Sequence, residues 1–146
     1  MNLFETLQDE VKKWAENNYK SEKYPAISEI LLWNKETSYL RSSQFKSLAT
    51  YWYLRDQLNT PLIFDLYKKY FPNPIDLIKA FGVSTSNTEI LKLLFEGDKF
   101  WELVKKDDAF CKKNQLHTLR ESLTLDYPNY ILALAMGAGK TILIGT

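Results

Sequence analysis

The chain has 146 residues, enough for one domain with a sizeable core and too few for two complete ones, so it is expected to fold as one unit. Hydrophobic residues make up 45% of it and charged residues 25%, a balance that excludes a disordered or membrane-inserted chain. The 19 Lys and Arg residues against 18 Asp and Glu leave a formal net charge of +1, so overall charge gives no argument for nucleic acid, which rewards a clear excess of base.

The first segment places Leu3, Phe4, Leu7, Val11, Trp14 and Ala15 at helical spacing, with Asn2 and Glu5 as a capping pair, and predicts an amphipathic helix. It carries acids early and lacks a long apolar run, which argues against a signal peptide or anchor. After a break near Tyr24, Pro25 suits a first helical turn and "ISEILLWN" predicts a short, buried second helix. In "LRSSQFKSLATYWYLRDQL", Phe45, Leu48, Ala49 and Trp52 fall at i, i+3, i+4 and i+7, with Ser42 or Ser43 as the expected cap.

"NTPLIFDLYKKYFPNP" predicts a helix capped by Thr60, with Pro61 in its first turn, Ile63, Leu66, Tyr67 and Tyr70 on one face, and Pro72 and Pro74 ending it. "NPIDLIKAFG" repeats that grammar: Asn73 caps, Pro74 starts the turn and Gly82 ends the helix in a left-handed conformation. Ser86 and Glu89 are the expected capping box of "ILKLLFEG", which Gly97 interrupts, and further helices follow to about Leu123. The Lys pairs at 12–13, 68–69, 105–106 and 112–113 lie among acids and are expected on solvated helix faces. Cys111 is the only cysteine, which excludes an internal disulfide or a thiolate metal cage and points to a reducing, cytoplasmic setting.

The texture then changes. In "YPNYILALAMGAGKT" the apolar run from Tyr130 to Ala135 predicts a strand buried on both faces that feeds a glycine loop, although "ILALAM" also contains strong helix formers. Glycines let backbone N–H groups turn toward a phosphate, a lysine reaches the terminal phosphates, and a hydroxyl after it coordinates magnesium. Gly137, Ala138, Gly139, Lys140 and Thr141 fit these tasks as an x-x-x-G-x-G-K-T loop, with Leu134 where the commoner pattern has another glycine. Of the remaining candidates, His117 has no acid-base partner fixed by sequence and is expected to pack or face solvent. The "TYWYLR" aromatics suit base stacking as well as core packing, and the stripe assigns Trp52 to the core.

"ILALAMGAGKTILIG" resembles motif I of superfamily 2 helicases, in particular the DEAD/DEAH-box type related to the helicase subunit of type III restriction enzymes. "LRSSQFKSLATYWYLRDQLNTPLIFDLYKKYF" is similar to the amino-terminal region of bacterial members of that group, and its "LRxxQ" portion resembles the Q motif. The resemblance runs from about Leu40 onward, with motif I as its specific part. It implies a mainly α chain: a bundle-like helical region over 1–128 with a helical insertion, then, over 129–146, the first strand and P-loop of an incomplete α/β RecA-like ATPase core.

Position by position, the resemblance puts ATP on residues 137–141, Mg2+ on Thr141 and adenine near Gln44, whose amide can both donate and accept. Roughly 90 residues separate Gln44 from motif I, far more than an ordinary loop, so a solvent-facing helix position stands beside the adenine role. DNA and a modification methyltransferase are the implied partners. An acidic segment to hold magnesium is needed for hydrolysis, and none follows Thr141, so the chain is expected to be an amino-terminal fragment, inactive alone. The expectation from a different class is a helical protein-interaction module with a vestigial phosphate loop, marked by an exposed apolar patch.

Overall fold

The computed structural model describes residues 2–123 together with 125, 127, 128 and 130. Among these the chain is mainly α, with no strand. The helices are α1 (Leu3–Glu16), α2 (Pro25–Thr37), α3 (Ser42–Trp52) running on into a π-helical turn (Tyr53–Gln57), α4 (Ile63–Tyr70), α5 (Pro74–Ala80), α6 (Thr88–Phe95), α7 (Lys99–Lys106), α8 (Asp108–Lys113) and α9 (His117–Leu123). None of them is long and apolar enough to cross a membrane. The run from Tyr130 into the glycine loop, expected as a strand, lies outside the described residues apart from Tyr130 itself.

Among the described residues the chain divides into two compact units, one formed by residues 4–61 with Tyr130 and the other by residues 2–3 together with the described residues from 62 to 128. In the amino-terminal unit, Leu7, Val11 and Trp14 form the buried stripe of α1, whereas Phe4, expected on that stripe, is 63% exposed. Helix α3 is buried more widely than its pattern predicts. Its inward residues are Gln44, Leu48, Ala49 and Thr50, followed by Tyr53, Leu54 and Asp56, while Phe45 and Trp52 are half-buried. The helix packs against α2 and is also bonded to α1. Gln8 Nε2 on α1 donates to Thr50 Oγ1 at 2.7 Å, and the Tyr53 hydroxyl donates to Glu10 Oε2 at 3.3 Å, so α3 shows its partners more than one stripe.

In the second unit a linked set of rings fills the core. Trp101 stands 4.0 Å from Phe64, 4.8 Å from Phe100 and 5.4 Å from Phe81 between ring centroids, and Phe100 meets Phe110 at 6.2 Å. Phe100, Ile78, Ile90 and Val104 are fully enclosed. Burial of each such side chain stabilises the fold by about 1.5–3 kcal/mol, and ring pairs add about 0.5–1.5 kcal/mol. Cys111 belongs to this core: its Sγ donates to Val104 O at 3.3 Å, and burial pushes its thiol pKa up.

Local caps follow the sequence at both ends of α5 and depart from it at α4 and α6, as well as at α3. Asn73 accepts from Ile75 N–H at 2.8 Å ahead of Pro74, as expected. Gly82, at φ +72°, closes α5: its N–H donates to Lys79 O at 3.0 Å, and Val83 N–H donates to Ile78 O at 3.1 Å. Helix α4, however, starts after Leu62, because Asn59 and Thr60 adopt left-handed conformations and Thr60 N–H is used by Leu54 O at 2.8 Å. Thr60 therefore closes the preceding turn instead of capping α4. At α6 the cap is Asn87, whose Oδ1 accepts from Ile90 N–H at 3.2 Å, while the Ser86 hydroxyl pairs with that of Ser84 at 2.6 Å.

The bond pattern at Gly82 recurs with non-glycine residues. At the end of α1, Asn18 N–H donates to Ala15 O and Tyr19 N–H to Trp14 O, both at 3.1 Å, with φ +53° and +52°. At the end of α8, Leu116 N–H donates to Cys111 O at 2.9 Å around Gln115 at φ +56°. A non-glycine residue in this region costs about 1–2 kcal/mol. Gln115→Gly is expected to stabilise the protein by about 1 kcal/mol, less than the full penalty because glycine also frees the unfolded chain. The check is a higher urea midpoint with an unchanged slope; a lower midpoint would show that the Gln115 side chain matters more than its backbone.

Arg120 on α9 ties α7 and α8 to it. Its guanidinium donates to Lys105 O at 2.7 Å and pairs with the Asp108 carboxylate. The hydrogen bond from Arg120, and then its charge, hold the Asp108 carboxyl below the usual range. A depressed folded-state pKa gives stability that is present above the unfolded carboxylate range and is lost as pH falls through the depressed value. Exposure keeps that contribution small. In Arg120→Gln the Asp108 titration midpoint followed by carboxyl NMR should rise toward the free-residue value; an unmoved midpoint would refute the pairing.

Candidate functional site

Residues 137–141, expected to hold phosphate and magnesium, lie outside the described residues. Gln44 is described, and it is 3% exposed. Its Oε1 accepts from Arg41 N–H at 2.7 Å, reaching back over the first turn of α3, so Arg41 occupies the cap position expected for Ser42 or Ser43. The amide oxygen is engaged in starting the helix. His117 sits exposed in the first turn of α9.

Gln44→Ala is expected to cost about 1–2 kcal/mol, combining the lost return bond with lost packing. Thermal denaturation reads this directly. A change within 0.3 kcal/mol would mean that the bond contributes nothing net.

A different group of polar and aromatic residues converges at the end of α3. Leu58 N–H donates to Tyr53 O at 3.2 Å, the i to i−5 pairing of a π turn. This turn sends consecutive residues to opposite sides. Asp56 is 8% exposed and lines a cavity of about 640 Å³ with Glu16, Glu22, Asn17 and Asn18, where its Oδ2 accepts from Gln57 Nε2 at 2.6 Å. Arg55 lines a second cavity of about 430 Å³ with Lys23, Tyr24, Tyr51, Asn59, Thr60 and Tyr130, and Lys23 and Asn59 line the first cavity as well.

The lining of that smaller cavity contains no carboxylate. Arg55 Nη1 donates to the Tyr51 hydroxyl at 2.8 Å, and its guanidinium lies 5.5 Å from the centroid of the Trp52 ring. The hydrogen bond to Tyr51, followed by one to Tyr24, pushes the guanidinium pKa above its ordinary value. Trp52 meets Tyr24 at 5.8 Å and Tyr51 at 5.5 Å, which gives a continuous row of rings. Lys23 Nζ donates to Asn59 Oδ1, and the Tyr130 hydroxyl donates to Pro61 O. Burial of the Tyr130 phenol pushes its pKa up to about 12, so it remains a neutral donor at physiological pH.

The sequence displays half of this cluster in "TYWYLR", yet the stripe assigns Trp52 to the core. The other half, Lys23 and Tyr24, comes from the entry to α2 and shows no pattern of its own. No family model, curated protein or solved structure matches the chain.

Proposed function

We propose that the chain carries the ATP-binding motif I of an ATP-dependent DNA helicase or translocase similar to the helicase subunit of type III restriction enzymes. The observation that carries this reading is the run Gly137-x-Gly139-Lys140-Thr141 placed directly after the apolar residues Tyr130 to Ala135. In this reading the apolar run is the first strand of a RecA-like core. Backbone N–H groups from Gly137 to Gly139 cradle phosphate, Lys140 meets the terminal phosphates as a point charge, and the Thr141 hydroxyl contributes to Mg2+ coordination. The helical residues before it brace that core or contact DNA, and the modification methyltransferase is the protein partner. In this reading Gln44 meets adenine through its Nε2 donor and the second lone pair of Oε1, the first being held by Arg41 N–H.

Isothermal titration of MgATP against the 146-residue polypeptide tests the reading. Saturable binding is expected. Loss of a charge-assisted contact in Lys140→Ala should weaken binding about tenfold or more. Equal affinity of the two proteins would refute it.

A second reading, a protein-interaction module, has its own observation. On α2 and just after it, Ile30, Trp33 and Tyr39 are 36%, 51% and 60% exposed, and the Trp33 and Tyr39 rings meet at 5.4 Å. Exposed apolar surface of this kind marks contact sites. Absence of MgATP binding would favour this surface over the phosphate loop as the working part of the chain.

A further inference from the structure

We propose that the cluster of Lys23, Tyr24, Tyr51, Trp52 and Arg55 binds single-stranded nucleic acid, with bases stacked on the Tyr24 and Tyr51 rings and phosphates met by Arg55 and Lys23. The site is built from residues other than 137–141. It is compatible with DNA as a partner in the reading above but does not depend on it.

Charge sorting is the first argument. Overall the chain is nearly neutral, yet the π turn places Asp56 in the cavity lined by Glu16 and Glu22 and Arg55 in a cavity lined by no acid, with Lys23 and Asn59 on the border between the two and lining both. Among the described residues, neither Arg55 nor Lys23 forms an ion pair with a carboxylate. Arg55 bonds phenol oxygens and Lys23 an amide oxygen, partners that leave the positive charge unneutralised. An anion entering this cavity meets two cations and the hydroxyls of Tyr51 and Thr60 among its lining residues.

Ring geometry is the second. Tyr24 is 38% exposed, and Tyr51 lines the same cavity, with Trp52 bridging them. A core aromatic would be covered, and an isolated surface tyrosine would lack a neighbouring ring. Here the rings are fixed by one another and by the guanidinium against Trp52, so a base can stack without first ordering them. The pairing of flat rings with nearby unneutralised cations at one open cavity matches the alternation of base and phosphate along a single strand. A duplex keeps its bases stacked inside and offers the rings nothing.

The test is fluorescence anisotropy of a fluorescein-labelled thymidylate dodecamer titrated with the 146-residue polypeptide. Saturable binding is expected, with a log–log salt slope of about −1.4 for two phosphate contacts on a single strand. Tyr24→Ala should weaken binding about tenfold, while Tyr24→Phe, which keeps the ring, should change it by less than about twofold. Arg55→Gln should weaken binding and flatten the slope by about 0.7. Each variant is compared by circular dichroism melting, so that a loss of fold is not read as a loss of contact. Lys140→Ala should bind the dodecamer as the parent does even if it loses MgATP, which separates this site from the phosphate loop. Equal affinity for a blunt duplex of the same length, unchanged affinity in the Tyr24→Ala, Arg55→Gln double variant, or no binding would overturn the proposal.

Discussion

Helices of six to fourteen residues gain too little from their own hydrogen bonds to persist alone in water, so each α-helix in this chain depends on a partner face. The chain must therefore reverse within a few residues of each helix end. At α1, α5 and α8 it does so through a residue in the left-handed region, where the next apolar side chain swings back onto the last turn. Tyr19 shows which effect wins. Its backbone conformation costs about 1–2 kcal/mol. Its burial to 3% exposure, with its ring edge-on to Trp14 at 5.3 Å, contributes about 2–4 kcal/mol in return. The strained residue is tolerated because it closes the amino-terminal core.

The same economy of short elements explains the π turn at the end of α3. This helix is held from α1 through Gln8 and Glu10, and those bonds fix Thr50 and Tyr53 inward. Trp52 is then left at the edge of the packed region instead of in it. Asp56 turns inward, and Asn59 and Thr60 reverse the chain in left-handed conformations, leaving Arg55 beside Trp52 and Tyr51. A structural constraint on two residues thus determines which neighbours are free to meet a ligand.

Much of the fold is legible in the sequence wherever its determinants are local. Asn73, Pro74 and Gly82 announce α5 because each acts within its own turn, and Leu7, Val11 and Trp14 announce α1 because a single face is buried. Legibility fails where a second neighbour intervenes. Phe45 and Trp52 satisfy the helical repeat perfectly well, but α3 has partners on more than one side, and a repeat of apolar residues does not report that. Thr60 followed by proline has the composition of a helix start, and only the closure of the preceding turn onto Leu54 O reveals it as an end. The proposed phosphate loop is the reverse case, read only from the order of residues 137–141, whereas the aromatic–cationic cluster exists only once α3 is folded against the entry to α2.

Net charge is the weakest guide among these signals, and the reason is geometric. Electrostatic recognition depends on charges within roughly one Debye length, about 8–10 Å at ordinary salt, so a chain whose total is +1 can still offer a cationic cavity if its acids are paired or turned elsewhere. Asp9 and Glu10 are paired with lysines of their own helix, and Asp56, with Glu16 and Glu22, lines the neighbouring cavity and not the one that Arg55 lines, Lys23 bordering both. What remains beside the rings is Arg55 and Lys23. Their hydrogen bonds to neutral oxygens orient the charge without cancelling it, which is the condition an exposed cation must meet to recognise a phosphate with so few partners.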